Sequence, residues 1–148
     1  AADREMLAAM ESTFTEVGAD IDKVKLRDAL RGVMALASAL NRYLDDAAPW
    51  TSIKTDPARA ATSLWTALQV VAALRVLSAP FLPFSAERLH TLLGDDGSVH
   101  SLPWQPLALP AGRTLPKPEP LFRKLEDDEL TALLDRLKPP TQDTGEPT

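Results

Sequence analysis

The fold of this chain is decided by residues 41–50, NRYLDDAAPW, which end a long amphipathic helix on a proline. Proline donates no backbone N–H and keeps the residue before it out of the helical region, so the helix should end at or just before Pro49. Trp50 is then held at a fixed place beyond a helix end. Its ring either fills the end of a helical bundle or stays partly exposed, where it can stack on an unpaired base.

Two helices are predicted before this stop. The first covers Asp3 to about Val17, and Gly18 is placed to end it in the left-handed conformation. The second runs from about Asp22 to Ala47 and repeats apolar residues in alternating steps of four and three, which is typical of a helix-bundle seam. Its expected core positions are Leu26, Leu30, Val33, Ala37, Leu40 and Leu44.

A third helix is predicted to begin at Asp56 as N-cap, with Pro57 in the first helical position, and to continue to about Ala79. Two arginines are its only charged residues, and a helix that is apolar nearly all round belongs at the centre of a bundle. Burial would leave Arg75 in need of a carboxylate or carbonyl partner. Trp65 is expected to fill the core.

A fourth helix is predicted to begin after Ser85, its N-cap, and to end before Gly94. His90 lies one step away from the inward-facing leucines of this helix and is expected at the surface or its boundary. Residues 95–122 contain six prolines and spaced leucines. This composition favours an extended strap that lies across the bundle.

A last helix is predicted within residues 126–138, where leucines recur at helical spacing. The polar residues 139–148 are expected to form a flexible tail. The sequence therefore predicts an all-α fold, an antiparallel bundle of about four to five helices with a Pro-rich strap, in one domain spanning residues 1–138.

The composition fits an ordinary globular chain. Of 148 residues, 45% are apolar and 25% are charged, which argues against wholesale disorder. The absence of cysteine excludes disulfides and thiolate metal sites, and no uncharged apolar run reaches the length of a membrane span, so a soluble, cytoplasmic protein is expected. The chain begins with Ala rather than Met, which suggests an excised piece of a longer protein.

Net charge is −5, but positive charge is concentrated in one region. Residues 21–60 carry seven Lys or Arg against five Asp, a net charge of +2, and this region contains Trp50. Phosphate contacts require a local cluster of cations and do not require a positive net charge on the whole protein. Alternatively, these charged side chains only form the solvent-exposed face of a helix and bind nothing. The cations expected on the second helix are Lys23, Lys25, Arg27, Arg31 and Arg42.

Motifs for catalysis are missing from the sequence. It contains no phosphate-binding glycine loop and no serine in a nucleophile-elbow context. His90 and His100 have no cysteine near them and make a poor metal site. We therefore predict no catalytic residue, no metal site and no cofactor for this chain.

Residues 26–54 resemble the anticodon-binding helical domain of methionyl-tRNA synthetases. The matching features are a helix rich in small residues, the Asn-Arg-Tyr triplet at 41–43, and a Pro-Trp pair followed by Lys54. Residues 74–87 are similar to the next helix pair of class I synthetases in general, and residues 120–123 resemble their closing segment. The similarity extends over nearly all of the chain.

This resemblance implies a role for particular residues. Trp50 would stack on an anticodon base, with Asn41 and Arg42 as further candidate anticodon contacts. The Asn and Arg that also read the anticodon in this family lie on a preceding helix, and Asp3 to Val17 does not match its pattern, so they cannot be placed here. The candidate phosphate contacts are Lys23, Lys25, Arg27, Arg31 and Lys54.

The resemblance also implies partners. The parent enzyme would join methionine to initiator and elongator methionine tRNAs with ATP and Mg²⁺, using a catalytic domain that this chain lacks. Leu121 and Phe122 would dock on that catalytic domain. Two alternatives remain: the anticodon domain of an isoleucine, valine or leucine synthetase, and a helical interaction module whose strap binds a protein.

Overall fold

The computed structural model describes residues 1–137, which form six α-helices and one short 3-10 helix and contain no strand. The predicted all-α class is confirmed. The expected tail at residues 139–148 lies outside the described residues, and the domain limits stay a prediction. The elements are α1 (Ala2–Asp22), α2 (Leu26–Ala47), α3 (Pro49–Ser52), α4 (Pro57–Ser78), α5 (Pro83–Leu92), the 3-10 helix (Val99–Ser101) and α6 (Asp127–Leu137).

α1, α2 and α4 pack together around one apolar core. α4 begins as predicted, with the Asp56 carboxylate accepting the backbone N–H of Arg59 at 3.0 Å and Pro57 in the first turn. By length and composition it is the single helix in the described part of the chain that would also suffice to cross a membrane. However, 61% of the most apolar 18-residue segment of α4 is buried inside the protein. α4 is therefore the central helix that the sequence predicted.

Gly18 does not end α1, so this prediction was wrong. α1 continues to Asp22, and the chain turns at Val24, whose φ is +59°. A Cβ atom on Gly18 would lie 2.9 Å from the indole nitrogen of Trp104, which donates a hydrogen bond to the Phe14 carbonyl at 3.1 Å. Glycine is therefore needed here because a strap residue packs closely against α1.

The predicted core row of α2 was also wrong in part. Leu26 and Leu30 are exposed, while Val33 and Leu40 are buried as expected. A neighbouring row with the same alternating spacing faces the core instead. Which of two adjacent rows is buried depends on where α1 and α4 lie, and the period of one helix does not contain that information. The buried row is Ala29, Val33, Leu36, Leu40 and Tyr43.

Arg75 pairs with a carboxylate, as predicted, but His90 was predicted wrongly. Arg75 forms an ion pair with Asp95, and Arg113 from the strap reaches the same carboxylate at 2.7 Å. His90 is only 2% exposed; its Nδ1 accepts from Arg75 at 3.3 Å, which places its proton on Nε2, 3.2 Å from the Asp96 carbonyl. This polar cluster holds α4, α5 and the strap together.

Two local expectations about α4 and α5 fail. α5 begins at Pro83 rather than after Ser85, because the fixed φ of proline already suits the first helical position. Trp65 is 44% exposed instead of filling the core. One turn later, the Gln69 amide exchanges two hydrogen bonds with the backbone of Leu109, so the strap covers α4 there and leaves Trp65 at the edge.

The strap and the last helix follow the prediction. Between the 3-10 helix and α6 the chain forms no helix, with a turn at residues 111–112, and Leu109 is buried against α4 and α5. Trp104 packs edge-to-face on Phe14 with ring centroids 5.6 Å apart. α6 has no buried residue. The strap is thus part of the packed structure, whereas α6 keeps its leucine face open.

Candidate nucleic-acid interface

The chain changes direction sharply at the residues that precede Trp50. α2 ends at Ala47, and Ala48 adopts the left-handed conformation with φ +37° and ψ +58°. Pro49 is fully buried and begins the one-turn helix α3, which packs on α4. The predicted stop at the proline is confirmed. A buried proline followed directly by the tryptophan fixes where the indole side chain leaves the bundle.

The indole ring of Trp50 is 60% exposed. Of the two possibilities that the sequence left open, the ring therefore lies outside the core. Backbone hydrogen bonds from Thr51 and Ser52 to the Ala48 carbonyl, at 2.9 and 3.0 Å, hold the turn that carries it. An exposed aromatic ring on an ordered turn is a suitable platform for base stacking.

A charged cluster lies at the same end of the bundle, where α1 and α4 begin and α2 ends. Asp3 accepts two hydrogen bonds from Arg59, at 2.6 and 2.9 Å, and one from the Tyr43 hydroxyl at 2.6 Å. These bonds stabilise the ionised carboxyl, so the pKa of Asp3 falls from 3.8 to about 2, with the Arg59 hydrogen bonds as the largest cause. We call Asp3, Tyr43 and Arg59 the Asp3 cluster.

Sequence reasoning missed the Asp3 cluster entirely. An acid in the first turn of a helix is favourable without any partner, so Asp3 gave no signal. Tyr43 belongs to the Asn-Arg-Tyr triplet of the family resemblance, and Arg59 is one of the two arginines predicted on α4. The three residues lie 40 and 56 positions apart in the chain, and only the packing of the helices brings them together.

Asn41 and Arg42, the other candidate anticodon contacts, are both exposed on α2. Arg42 lines a shallow groove between α1 and α2, together with Glu5 and Asp46. Within residues 1–137 it forms no ion pair. Its guanidinium group therefore remains available to a ligand at the Trp50 end of the bundle.

The predicted phosphate contacts do not form one patch around Trp50. Lys23 and Lys25 lie in the turn between α1 and α2, so their placement on one helix with the arginines was wrong. Arg27 and Arg31 lie in the first turns of α2, and Arg31 pairs with Asp28 at 3.1 Å. α2 has 22 residues and is about 33 Å long, so these four cations lie at the opposite end from Trp50.

Lys54 is the exception among these cations. It is exposed in the turn between α3 and α4, four residues beyond Trp50. The predicted docking residues lie elsewhere, at the end of the strap, where Phe122 is 65% exposed and Leu121 is half-buried. No group of three or more His, Cys, Asp or Glu side chains in residues 1–137 is arranged to hold a metal ion.

Similarity to known proteins agrees with this all-α architecture. A family model described as the anticodon binding domain of methionyl tRNA ligase matches residues 1–141. Since the match covers nearly the whole chain, the chain belongs to this family of anticodon-binding domains.

Individual relatives extend this result. A methionine–tRNA ligase from Roseiflexus castenholzii is 39% identical over 93% of the chain, and one from Pyrococcus abyssi is 43% identical over 86%. The free state of Mycobacterium tuberculosis methionyl-tRNA synthetase superposes with a TM-score of 0.73 at 25% identity, covering 84% of the chain. The chain spans 28% of the length of the Roseiflexus protein, 17% of the Pyrococcus protein and 26% of the mycobacterial chain.

Proposed function

We propose that this domain recognises methionine tRNA by stacking Trp50 on a base of the anticodon, within a methionine–tRNA ligase. The observation that carries the proposal is the 60% exposed indole ring on an ordered turn, in a chain that belongs to the anticodon-binding family. Base–aromatic stacking contributes about 1–3 kcal/mol, which is enough to matter for a site with few polar contacts.

Other residues would assist at the same end. Asn41 and Arg42 are exposed on the last turns of α2 and would contact anticodon nucleotides, while Lys54 would contact an adjacent phosphate. The distant cations, Lys23 to Arg31, would meet phosphates outside the anticodon loop, because they lie about 30 Å away along α2. Initiator and elongator methionine tRNAs would both be bound.

The remaining steps belong to the rest of the synthetase. Its catalytic domain would use ATP and Mg²⁺ to activate methionine, and the exposed Phe122 with Leu121 would dock on that domain. This activity would take place in the cytoplasm, with no membrane partner. The domain described here would supply recognition of the tRNA and no chemistry.

The test is Trp50→Ala, measured both in this chain and in the complete synthetase. Loss of stacking should weaken binding of an anticodon stem-loop by about ten- to a hundredfold, since 1.4 kcal/mol corresponds to a factor of ten. Methionine activation without tRNA should stay unchanged, because the ring is outside the core. Trp65→Ala is the matched control, since Trp65 is 44% exposed, lines grooves beside the strap, and should leave RNA binding unaltered.

The outcome separates the alternatives. If Trp50→Ala lowers tRNA charging and tRNA-free methionine activation equally, the ring has a structural role and the proposal is wrong. Tight binding of isoleucine, valine or leucine tRNA in place of methionine tRNA would assign the domain to another class I synthetase. Absence of RNA binding, with a protein partner captured at the strap, would indicate an interaction module instead.

A further inference from the structure

The segment that carries Trp50 is held from both sides by one carboxylate. Tyr43 lies seven residues before the tryptophan and Arg59 nine residues after it, and both donate hydrogen bonds to Asp3, at 2.6 to 2.9 Å. Asp3 itself belongs to a different helix, α1. The two flanks of residues 44–58 therefore meet at a single side chain in the first turn of α1.

The connection from the Asp3 cluster to Trp50 is continuous. After Trp50, the Ile53 N–H bonds the Pro49 carbonyl at 3.0 Å and the Asp56 N–H bonds the Ser52 carbonyl at 2.7 Å. Asp56 then caps α4 through the backbone N–H of Arg59 at 3.0 Å. Before Trp50, the last turn of α2 leads directly from Tyr43 to the buried Pro49. Hydrogen bonds thus connect both anchors to the backbone turn that carries Trp50.

We propose that the Asp3 cluster is the positioning element of the RNA interface, fixing the turn at Pro49–Ser52 so that Trp50 is presented in its binding orientation before RNA arrives. The inference rests on the proposed stacking role of Trp50. Ordering an interface in advance increases affinity, because less conformational entropy is lost on binding. Asp3, Tyr43 and Arg59 act through the turn and need no contact with RNA.

Two variants weaken the cluster to different degrees. Asp3→Asn removes the charge that pairs with Arg59 but keeps a side-chain oxygen, and Tyr43→Phe removes only one hydroxyl group. We expect each to weaken binding of a methionine anticodon stem-loop by about three- to tenfold. Asp3→Asn also makes the protein less negative, which by itself favours RNA, so a loss of affinity opposes the general charge effect.

Asp28→Asn is the matched control. It makes the same change of charge in an exposed ion pair with Arg31, at the opposite end of α2. This variant should not weaken RNA binding. If Asp28→Asn lowers affinity as much as Asp3→Asn does, the effect is not specific to the cluster and the inference is wrong.

A double-mutant cycle with Trp50→Ala separates this inference from the proposed function. If positioning is the mechanism, Asp3→Asn and Tyr43→Phe should have little further effect once Trp50 is removed. If their effects simply add to that of Trp50→Ala, the positioning role is wrong although stacking stands. If Trp50→Ala alone changes nothing, the stacking proposal fails, and the positioning role fails with it.

The orientation of the ring can be observed without RNA. In protein labelled with 5-fluorotryptophan, the fluorine resonance of Trp50, assigned with Trp50→Phe, should broaden or shift in both variants, while those of Trp65 and Trp104 stay in place. If all three resonances change in Asp3→Asn, that variant loosens the whole fold. The Trp50 resonance of Tyr43→Phe then decides whether the cluster positions the ring. An unchanged Trp50 resonance in Tyr43→Phe would overturn the inference.

Discussion

The two ends of the helical bundle are built differently, although each has a sharp turn with a non-glycine residue at positive φ. At one end, Ala48 leads into the buried Pro49 and the exposed Trp50, and the Asp3 cluster joins three helices. At the other end, Val24 is 78% exposed between two lysines, and the neighbouring cations point into solvent. We call them the Trp50 end and the basic end.

This difference would let one small domain combine the two proposed kinds of RNA contact. A stacking ring would need a defined orientation, and the hydrogen bonds of the Asp3 cluster flank the segment that carries Trp50. Phosphate attraction acts over about 8–10 Å at physiological salt and tolerates freely moving side chains. Elsewhere in the bundle, the buried Arg75 pairs with the partly exposed Asp95 and ties α4 to the segment after α5 and to the strap.

Breaking the buried ion pair should give the largest effect. Asp95→Ala leaves Arg75, only 4% exposed, without its carboxylate, and should reduce the free energy of unfolding by about 3–5 kcal/mol. Urea denaturation measures this change. Asp96→Ala, at an exposed neighbouring acid, should change stability by less than about 0.5 kcal/mol. Equal effects of the two variants would show that the ion pair does not stabilise the contact of α4 with α5 and the strap.

The Asp3 cluster should contribute less, because it is partly exposed. Asp3→Asn should cost about 1 kcal/mol at neutral pH. The pKa of Asp3 is lowered from 3.8 to about 2 in the folded chain, so this stabilisation is present above about pH 4 and is lost as pH falls through about 2. Denaturation of both proteins between pH 7 and pH 2 should show their difference shrinking below pH 4. If the difference in unfolding free energy between the two proteins stays constant over this pH range, the stabilisation does not come from the ionised Asp3 carboxylate.

At the basic end, charge should affect binding more than stability. Lys25→Glu combined with Arg27→Glu should reduce RNA affinity by less than about tenfold and flatten its salt dependence, by about 0.7–0.9 in the log–log slope per lost phosphate contact. Lys117→Glu, a single reversal at an exposed strap residue, is the control and should leave the slope nearly unchanged. If the slope of the double variant equals that of the parent protein, these cations do not contact phosphate.

The two positive-φ residues allow the smallest comparison. Val24→Gly and Ala48→Gly should each stabilise the chain by about 0.5 kcal/mol, because relief of left-handed strain slightly exceeds the entropy cost of glycine. The gain should be larger at Val24, whose side chain is branched at Cβ. Ala35→Gly, in the helical interior of α2, should instead destabilise by about 1 kcal/mol. Thermal denaturation ranks the stabilities of the three variants. If Val24→Gly lowers the melting temperature, the backbone at Val24 is not strained.

Local signals in the sequence predicted several features correctly. Pro49 ends α2, Asp56 with Pro57 begins α4, and the prolines of the strap exclude a long helix there. Each of these rules concerns backbone geometry within a few residues. The family resemblance pointed to Trp50, which the structure leaves exposed, and the roles of Trp50, Asn41 and Arg42 stay predictions.

The errors at Gly18, His90 and Trp65 share one physical cause. Gly18 was assigned to a helix end but accommodates Trp104, and His90 was assigned to the surface but is enclosed beside Arg75 and Asp95. In both cases the decisive neighbour is distant in the chain. Trp65 shows the converse, because the strap covers the next turn of α4 and leaves that ring at the edge.

The sequence by itself determined that Pro49 ends α2, that Asp56 and Pro57 begin α4, that α4 is the central helix, and that an aromatic ring follows a helix stop. These properties depend on the conformational preferences of adjacent residues and on the apolar content of each helix. Only the tertiary structure decided which row of α2 is buried, that Trp50 stays outside the core, and that Asp3 joins Tyr43 to Arg59. Such contacts depend on how separate helices are placed against one another, which no local pattern encodes.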